Sequence, residues 1–276
     1  MNNKKILIII FIIFNLVVYY KNKNRISKNI DIKDKYKINL ISFASNHFNT
    51  RKNKFIKECI QTNWFQSIKI YNPNIISNHF INRYKYILNH KRGGGYWIWK
   101  FDIILNNLKK LKDNEYLIYI DIGCEINKKG EKRLIEYLEL LNNTNEHPKI
   151  IGFQLKQIEK YYTTEEIFKA FQVNGNQNII ETGQILATIQ IMKKDDKVIK
   201  IFEDCLKLLD KDPDLITDKY NQIQPSYFID NRHDQSLISV SKKINGCILL
   251  EDETYFNNFK SKEALKYPFH AKRKRH

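Results

Sequence analysis

Cysteine is scarce in this chain. Cys59, Cys124, Cys205 and Cys247 are the four in 276 residues, and no two form a CxxC pair. A structural zinc site of the kind built from such pairs is thereby set aside. The expectation is four reduced, buried thiols, with one or two disulfides as the alternative in an oxidising lumen. No internal repeat is visible, and no linker divides residues 37–276 into two domains. A dedicated nucleic-acid-binding module and a concentrated basic helix are both missing, which argues against a nucleic-acid partner. Acidic residues are outnumbered, 30 against 47 Lys and Arg, for a net charge of +17. This excess suits a polyanionic partner or a phosphorylated substrate. It also fits a plain bias toward Lys, Asn and Ile, because the lysines are scattered along the whole chain. Only 21–28 (KNKNRISK) and 270–276 (HAKRKRH) are locally basic beyond that background.

What is present is a folding composition, 42% hydrophobic and 13% aromatic. One run stands apart. Residues 6–20, ILIIIFIIFNLVVYY, are apolar and flanked by Lys4, Lys5, Lys21, Lys23 and Arg25. The run is slightly short of the ~20 helical residues that cross a bilayer core. Snorkelling lysines and the Tyr19–Tyr20 pair extend it. No small-x-small cleavage site follows, so it reads as an uncleaved signal-anchor. The division expected is an anchor over 1–21, a polar stem over 22–36 and a catalytic domain over 37–276. The orientation expected is type II-like, although charge flanks both ends of the run.

From residue 37 onward, short β-rich runs alternate with amphipathic stretches. Strands are expected over 37–45, 67–73, 115–123, 149–155, 183–194 and 246–252. Helices are expected over 51–64, 99–111, 130–141, 163–171, 195–210 and 233–243. Thr164 and Asp195 stand where helix caps belong. This alternation predicts an α/β fold with a mostly parallel central sheet flanked by helices. In such sheets ligands bind outside the carboxyl ends of the strands. YLIYIDIG places Asp121 at the carboxyl end of the most apolar, hence most central, strand. A helix cap is the other use of an Asp at that position.

Glycine is also rare, nine in all, yet three stand together in RGGGYWIWKFDIIL (92–105). Consecutive glycines allow close approach of the backbone to a ligand, or a tight turn. The alternation of Tyr96, Trp97 and Trp99 suits an aromatic wall against a sugar or a base, with Lys100 beside it. Aromatics wedging the helix onto the sheet are the other reading. Asp234 is a further candidate site carboxylate, as general base or as a group that orients an acceptor hydroxyl. It equally suits the cap of the helix that follows.

The order of these elements resembles glycosyltransferases of the GT-A type, which use nucleotide-diphospho-sugars. More narrowly, GGGYWIWK followed by a helix and YIDIGCEIN resembles an uncharacterised glycosyltransferase-like family with a G-Y-W-x-W-K-P…Y-x-D-x-G-C pattern, over roughly residues 38–275. The resemblance implies a GT-A-like fold, a nucleotide-sugar donor, a glycan or glycoprotein acceptor, and Mn²⁺ or Mg²⁺ on the donor diphosphate. It implies catalytic roles for Asp121 and Asp234. It implies substrate contacts from Gly94, Gly95, Tyr96, Trp97, Trp99, Lys100, Thr182, Gly183, His233 and Gln235. Metal ligation falls to Asp121, Glu125 and His270. Two positions depart from the pattern: Phe101 replaces the proline after the lysine, and Gly123 replaces the second acid of D-x-D. Glu125, two residues on, is the expected substitute. The alternative to an enzyme is a membrane-tethered binding protein for an anionic polymer or glycan.

Overall fold

The structure, a computed structural model, describes residues 32–274. The apolar run 6–20 and its expected anchor role lie outside the described residues. Among the described residues no helix is long and apolar enough to cross a membrane. The domain begins earlier than the sequence suggests. Ile32–Lys35 form a short helix, and Ile32 and Tyr36 are both buried in the core. The last residues assigned to the stem are thus part of the folded unit.

The main sheet has four strands: β1 (Lys37–Phe43), β2 (Ser67–Tyr71), β3 (Glu115–Ile120) and β7 (Ile189–Lys193), in the order β2-β1-β3-β7. β1 pairs in parallel with β2 and with β3, while β7 runs antiparallel to β3. A second sheet joins β5 (Ile151–Ile158) to β6 (Gly183–Ile185), antiparallel, and to β8 (Ile248–Glu251), parallel. β4 (Glu125–Ile126) pairs antiparallel with β9 (Phe269–His270). The expected mostly parallel sheet is therefore a mixed α/β arrangement with a parallel centre.

The centre lies where the strands are most apolar. Along β3, Leu117 and Tyr119 join one hydrophobic cluster, and Tyr116, Ile118 and Ile120 join the other. Ile41 and Phe43 of β1 belong to the first, Ile38 and Leu40 to the second. A sheet covered on both faces selects such continuous apolar runs, because neither side of the strand meets water. The covering helices include Asn49–Thr62, Trp99–Leu108, Glu131–Asn143, Asp196–Lys211 and Asp234–Asn245. All four cysteines are free and buried.

Two local expectations fail for physical reasons. The strand expected over 183–194 is two strands, β6 and β7, in different sheets, parted by a turn at Leu186–Thr188. The polar backbone of that turn is satisfied from elsewhere: Ala187 N donates to Gln235 Oε1 at 3.3 Å, and Thr188 O accepts from Asp121 N at 2.9 Å. The helix expected over 163–171 covers only Glu165–Ala170. The Thr164 hydroxyl makes no cap and is buried without a partner. Asp195 does cap its helix, accepting from Lys197 N at 2.7 Å.

Candidate active site

β3 ends at Ile120, so Asp121 emerges at the carboxyl edge of the parallel centre. Cys124 N donates to Asp121 O at 2.9 Å, which closes Asp121–Cys124 into a tight turn. Arg51 fixes that turn from the Asn49–Thr62 helix. Its buried guanidinium donates to Ile122 O at 3.0 Å and to Cys124 O, and pairs with both oxygens of Glu58 at 2.7 and 2.9 Å. An arginine in a helix so rich in lysine reads as a surface residue, and no sequence signal separates it from its neighbours.

Behind Asp121 lies a buried charged group. Lys100 Nζ sits 2.5 Å from Asp234 Oδ2 and 3.4 Å from Asp121 Oδ1. The first turn of the Trp99–Leu108 helix supplies the lysine, and the start of the Asp234–Asn245 helix supplies Asp234. The Lys100 and Asp234 side chains are 2% and 7% exposed, whereas that of Asp121 is 32% exposed. Tyr119 completes the group by donating its hydroxyl to Asp121 Oδ1. Burial opposes the charge on Lys100, but Asp121 and Asp234 together hold its pKa above the ordinary lysine value. Burial pushes Asp234 up to about 6 in spite of the lysine beside it. One ammonium thus serves two carboxylates. The deeper one takes a proton in mild acid, and only Asp121 has an open face. Lys100, expected to touch substrate, instead lies beneath the site, and Asp234 does too.

The glycine stretch resolves into an unusual turn. Gly93, Gly94, Gly95, Tyr96 and Trp97 all have positive φ, at 58°, 59°, 93°, 52° and 61°. Trp97 N donates to Gly93 O at 3.3 Å, so the segment closes one left-handed helical turn. L-residues avoid this hand at roughly 1–2 kcal/mol each, and glycine does not. Three glycines therefore carry most of the turn, with the strain left on Tyr96 and Trp97. A Cβ on Gly95 would meet Leu88 Cα at 2.7 Å, while one on Gly94 would meet nothing nearer than 3.7 Å. Gly94→Ala should cost only the left-handed strain, about 1–2 kcal/mol. Gly95→Ala adds a backbone collision and should cost roughly 2–5 kcal/mol. Urea unfolding of both variants checks this, and equal costs would mean that Gly95 does not approach the Leu88 backbone this closely in solution.

The two tryptophans after the glycines separate. Trp99 is 4% exposed, stacks on Phe43 at 3.7 Å between centroids, and donates Nε1 to Gly93 O at 3.0 Å. It belongs to the core and holds the turn, in place of the ligand wall expected of it. Trp97 is half-buried and stacks on His233, with 5.5 Å between centroids. Tyr96 meets the same imidazole at 4.9 Å. His233 is itself in a sparsely populated backbone region, φ 57° and ψ −118°. Its Nδ1 contacts Ile216 O at 2.8 Å, and its Nε2 is buried without a hydrogen-bond partner. Three strained residues are thus in mutual contact, and strain of this kind gathers at functional sites in general. Burial, foremost, lowers the His233 pKa, so the ring is neutral near pH 7.

Arg92 borders this patch and pairs with Asp218 and Asp230, all at 3.1 Å. Tyr96 OH also donates to Asp218 Oδ2 at 3.1 Å. Neither aspartate is evident from the sequence, because the loop that carries them follows no period.

Other expected site residues lie elsewhere. Gln235 bridges Gln184 Oε1, at 2.8 Å, and Ala187 N, so it shapes the 186–188 turn. Thr182 and Gly183 are packed against Leu155, Glu159 and Lys243. Glu159 N and Lys243 Nζ donate to Thr182 O, and a Cβ on Gly183 would stand 1.8 Å from Leu155 O. The glycine is required there by a close backbone approach within the sheet.

The expected metal ligands are each engaged by other groups of the chain. Glu125 Oε2 accepts from Lys272 at 2.7 Å and from Lys274. His270 is buried, with Nε2 2.8 Å from Ala264 O. Asp121 is engaged by Lys100 and Tyr119. Glu125 and His270 do face one another across β4 and β9. Among the described residues, however, no group of three or more His, Cys, Asp or Glu side chains is placed to hold a metal ion.

No family model and no curated protein matches the chain. Solved structures resemble it distantly. A glycosyltransferase involved in glycosylation of the major capsid of PBCV-1 is 10% identical, with a TM-score of 0.41 over 85% of this chain and 91% of that one. Mouse xyloside xylosyltransferase 1 is 9% identical, with a TM-score of 0.46 over 80% and 86%. The galactosyltransferase LgtC, in complex with donor and acceptor sugar analogues, is 12% identical, with a TM-score of 0.44 over 84% and 86%. Likeness at these scores carries no argument about activity, which rests on the side chains described above.

Proposed function

We propose that the protein is a glycosyltransferase that moves a sugar from a nucleotide-diphospho-sugar to a glycan or glycoprotein acceptor. The observation that carries this reading is Asp121: it is the one open carboxylate of a buried Asp–Lys–Asp group, at the carboxyl edge of the central parallel strands, where such folds bind ligands. The GYWxWK…YxDxGC resemblance supports it from the sequence. In glycosyl transfer the bond from the anomeric carbon to the diphosphate oxygen breaks. A bond to the acceptor oxygen forms, and the acceptor hydroxyl gives up its proton. Asp121 can accept a hydrogen bond or a proton at that edge. Asp234 acts through Lys100, as a positioning residue. The half-buried Trp97, braced by His233, offers an aromatic surface for a sugar or a base. Residues 6–20 would anchor the enzyme in a membrane, with the catalytic domain beyond a short stem.

The test is a thermal-shift screen of the full chain against a panel of nucleotide-diphospho-sugars and the corresponding nucleotides. A ligand at about 100 times its Kd stabilises by roughly 2.7 kcal/mol, enough for a shift of a few degrees. At least one nucleotide-sugar should produce such a shift and then be consumed in the presence of a glycan mixture. A panel with no binder would overturn the reading.

A further inference from the structure

The basic segment Lys272–Lys274 and the carboxylate at Glu125 are left unexplained by the site as described, and they lie together. The tail runs back over the Asp121–Glu125 turn. Lys274 N donates to Gly123 O at 2.8 Å, and Lys272 and Lys274 both close on Glu125 Oε2. Gly123 is tight against this segment, since a Cβ there would come within 3.1 Å of Lys274 O. Arg273, between the two lysines, is exposed. Three consecutive cations are thereby laid on the turn where D-x-D chemistry would put a metal, and the carboxylate expected as its second ligand is already neutralised.

We infer that Lys272, Arg273 and Lys274 supply the positive charge that meets the donor diphosphate, in place of a divalent ion held by Asp121 and Glu125. This rests on the transferase reading above and names the chain's own groups for the leaving-group charge. Ammonium and guanidinium groups donate charge-assisted hydrogen bonds to phosphate oxygens. Glu125 then competes with the diphosphate for the two lysines. Its carboxylate is placed for that part, since both ammonium groups already close on the one oxygen, Oε2. A bound diphosphate, with more charge and more acceptor oxygens, would draw the lysines from Glu125.

The two readings give opposite signs for one substitution, which makes the inference testable with inorganic pyrophosphate as probe. Pyrophosphate binding to the full chain is measured by calorimetry in EDTA and again with Mn²⁺. Binding should persist in EDTA and weaken at least tenfold in the Lys272→Gln/Lys274→Gln variant. It should strengthen in Glu125→Gln, which frees both lysines. Glu125→Gln changes a half-buried ion pair but keeps the side chain's size, so it remains informative if the double variant folds poorly. Binding that appears only with Mn²⁺ and is lost in Glu125→Gln would overturn the inference while leaving the transferase reading intact. Absence of pyrophosphate binding under both conditions overturns it as well. Tail-dependent pyrophosphate binding without any nucleotide-sugar binding would uphold the anion site and remove the transferase.

Discussion

Asp121→Asn should leave the protein folded and remove its sugar-transfer activity, by a factor of roughly 10²–10⁴ or more if the carboxylate serves as acceptor of a proton. The fold should survive because the substitution keeps what the surroundings need. The Tyr119 hydroxyl can still donate to the amide oxygen, and the Asp121 backbone bonds to Thr188 and Cys124 are untouched. Lys100 keeps Asp234 at 2.5 Å, so the buried ammonium is not left alone, and the group becomes a balanced pair. What is lost is the one carboxylate with an open face. Thermal unfolding and turnover of the nucleotide-sugar found in the screen, measured on the same preparation, separate the two effects. An unfolded variant would make Asp121 a structural group, and full activity would leave the site without its central residue.

The fold was legible where one period dominated. EYLIYI reads as a central strand because both its faces are buried, and the Asp196–Lys211 helix declares itself through the Asp195 cap and its apolar stripe at Val198, Ile201, Phe202, Cys205 and Leu209. The direction of pairing was not legible. β7 is as apolar as a parallel strand, and nothing in IQIMK distinguishes its antiparallel course beside β3. The break at Leu186–Thr188 was hidden as well. The groups that satisfy it, Gln235 and Asp121, come from about fifty residues later and sixty-five earlier.

At the site, the residue types were legible and their depths were not. Asp121, Lys100 and Asp234 all appear as candidates in the sequence, but only the folded chain shows that two of them are buried and one is open. Trp97 and Trp99 are separated by one residue and look equivalent. The left-handed turn rotates one onto His233 and the other into the core against Phe43. Asp218, Asp230 and Arg51 act through contacts more than sixty residues apart in sequence, so no local pattern marks them.

Lys100→Met should be the most destabilising single change at the site, by about 3–5 kcal/mol, because it leaves a buried carboxylate without its cation. Its pH dependence identifies the cause. Burial already places the Asp234 pKa at about 6, above the ordinary carboxylate range, and removing Lys100 takes away the charge that opposes this rise. A carboxyl with a raised folded-state pKa binds a proton more tightly in the folded than in the unfolded chain. Its contribution to stability therefore falls as pH rises from the ordinary carboxylate range through the folded pKa, and returns on acidification. In the wild type that window closes near the Asp234 value. In Lys100→Met it extends to higher pH, so the variant's deficit should be greatest at about pH 8 and shrink toward about pH 5. Lys100 itself does not blur the comparison, because its pKa lies above the ordinary lysine value and its own contribution is lost only in alkali. Asp234→Asn alone should cost little, since Lys100 retains Asp121 at 3.4 Å. The double variant Lys100→Met/Asp234→Asn should recover most of the lost stability, with only the partly exposed Asp121 left charged. Urea unfolding of the three variants across this pH range decides the matter: a deficit that is independent of pH and persists in the double variant would mean that Lys100 is held for its packing and not for its charge.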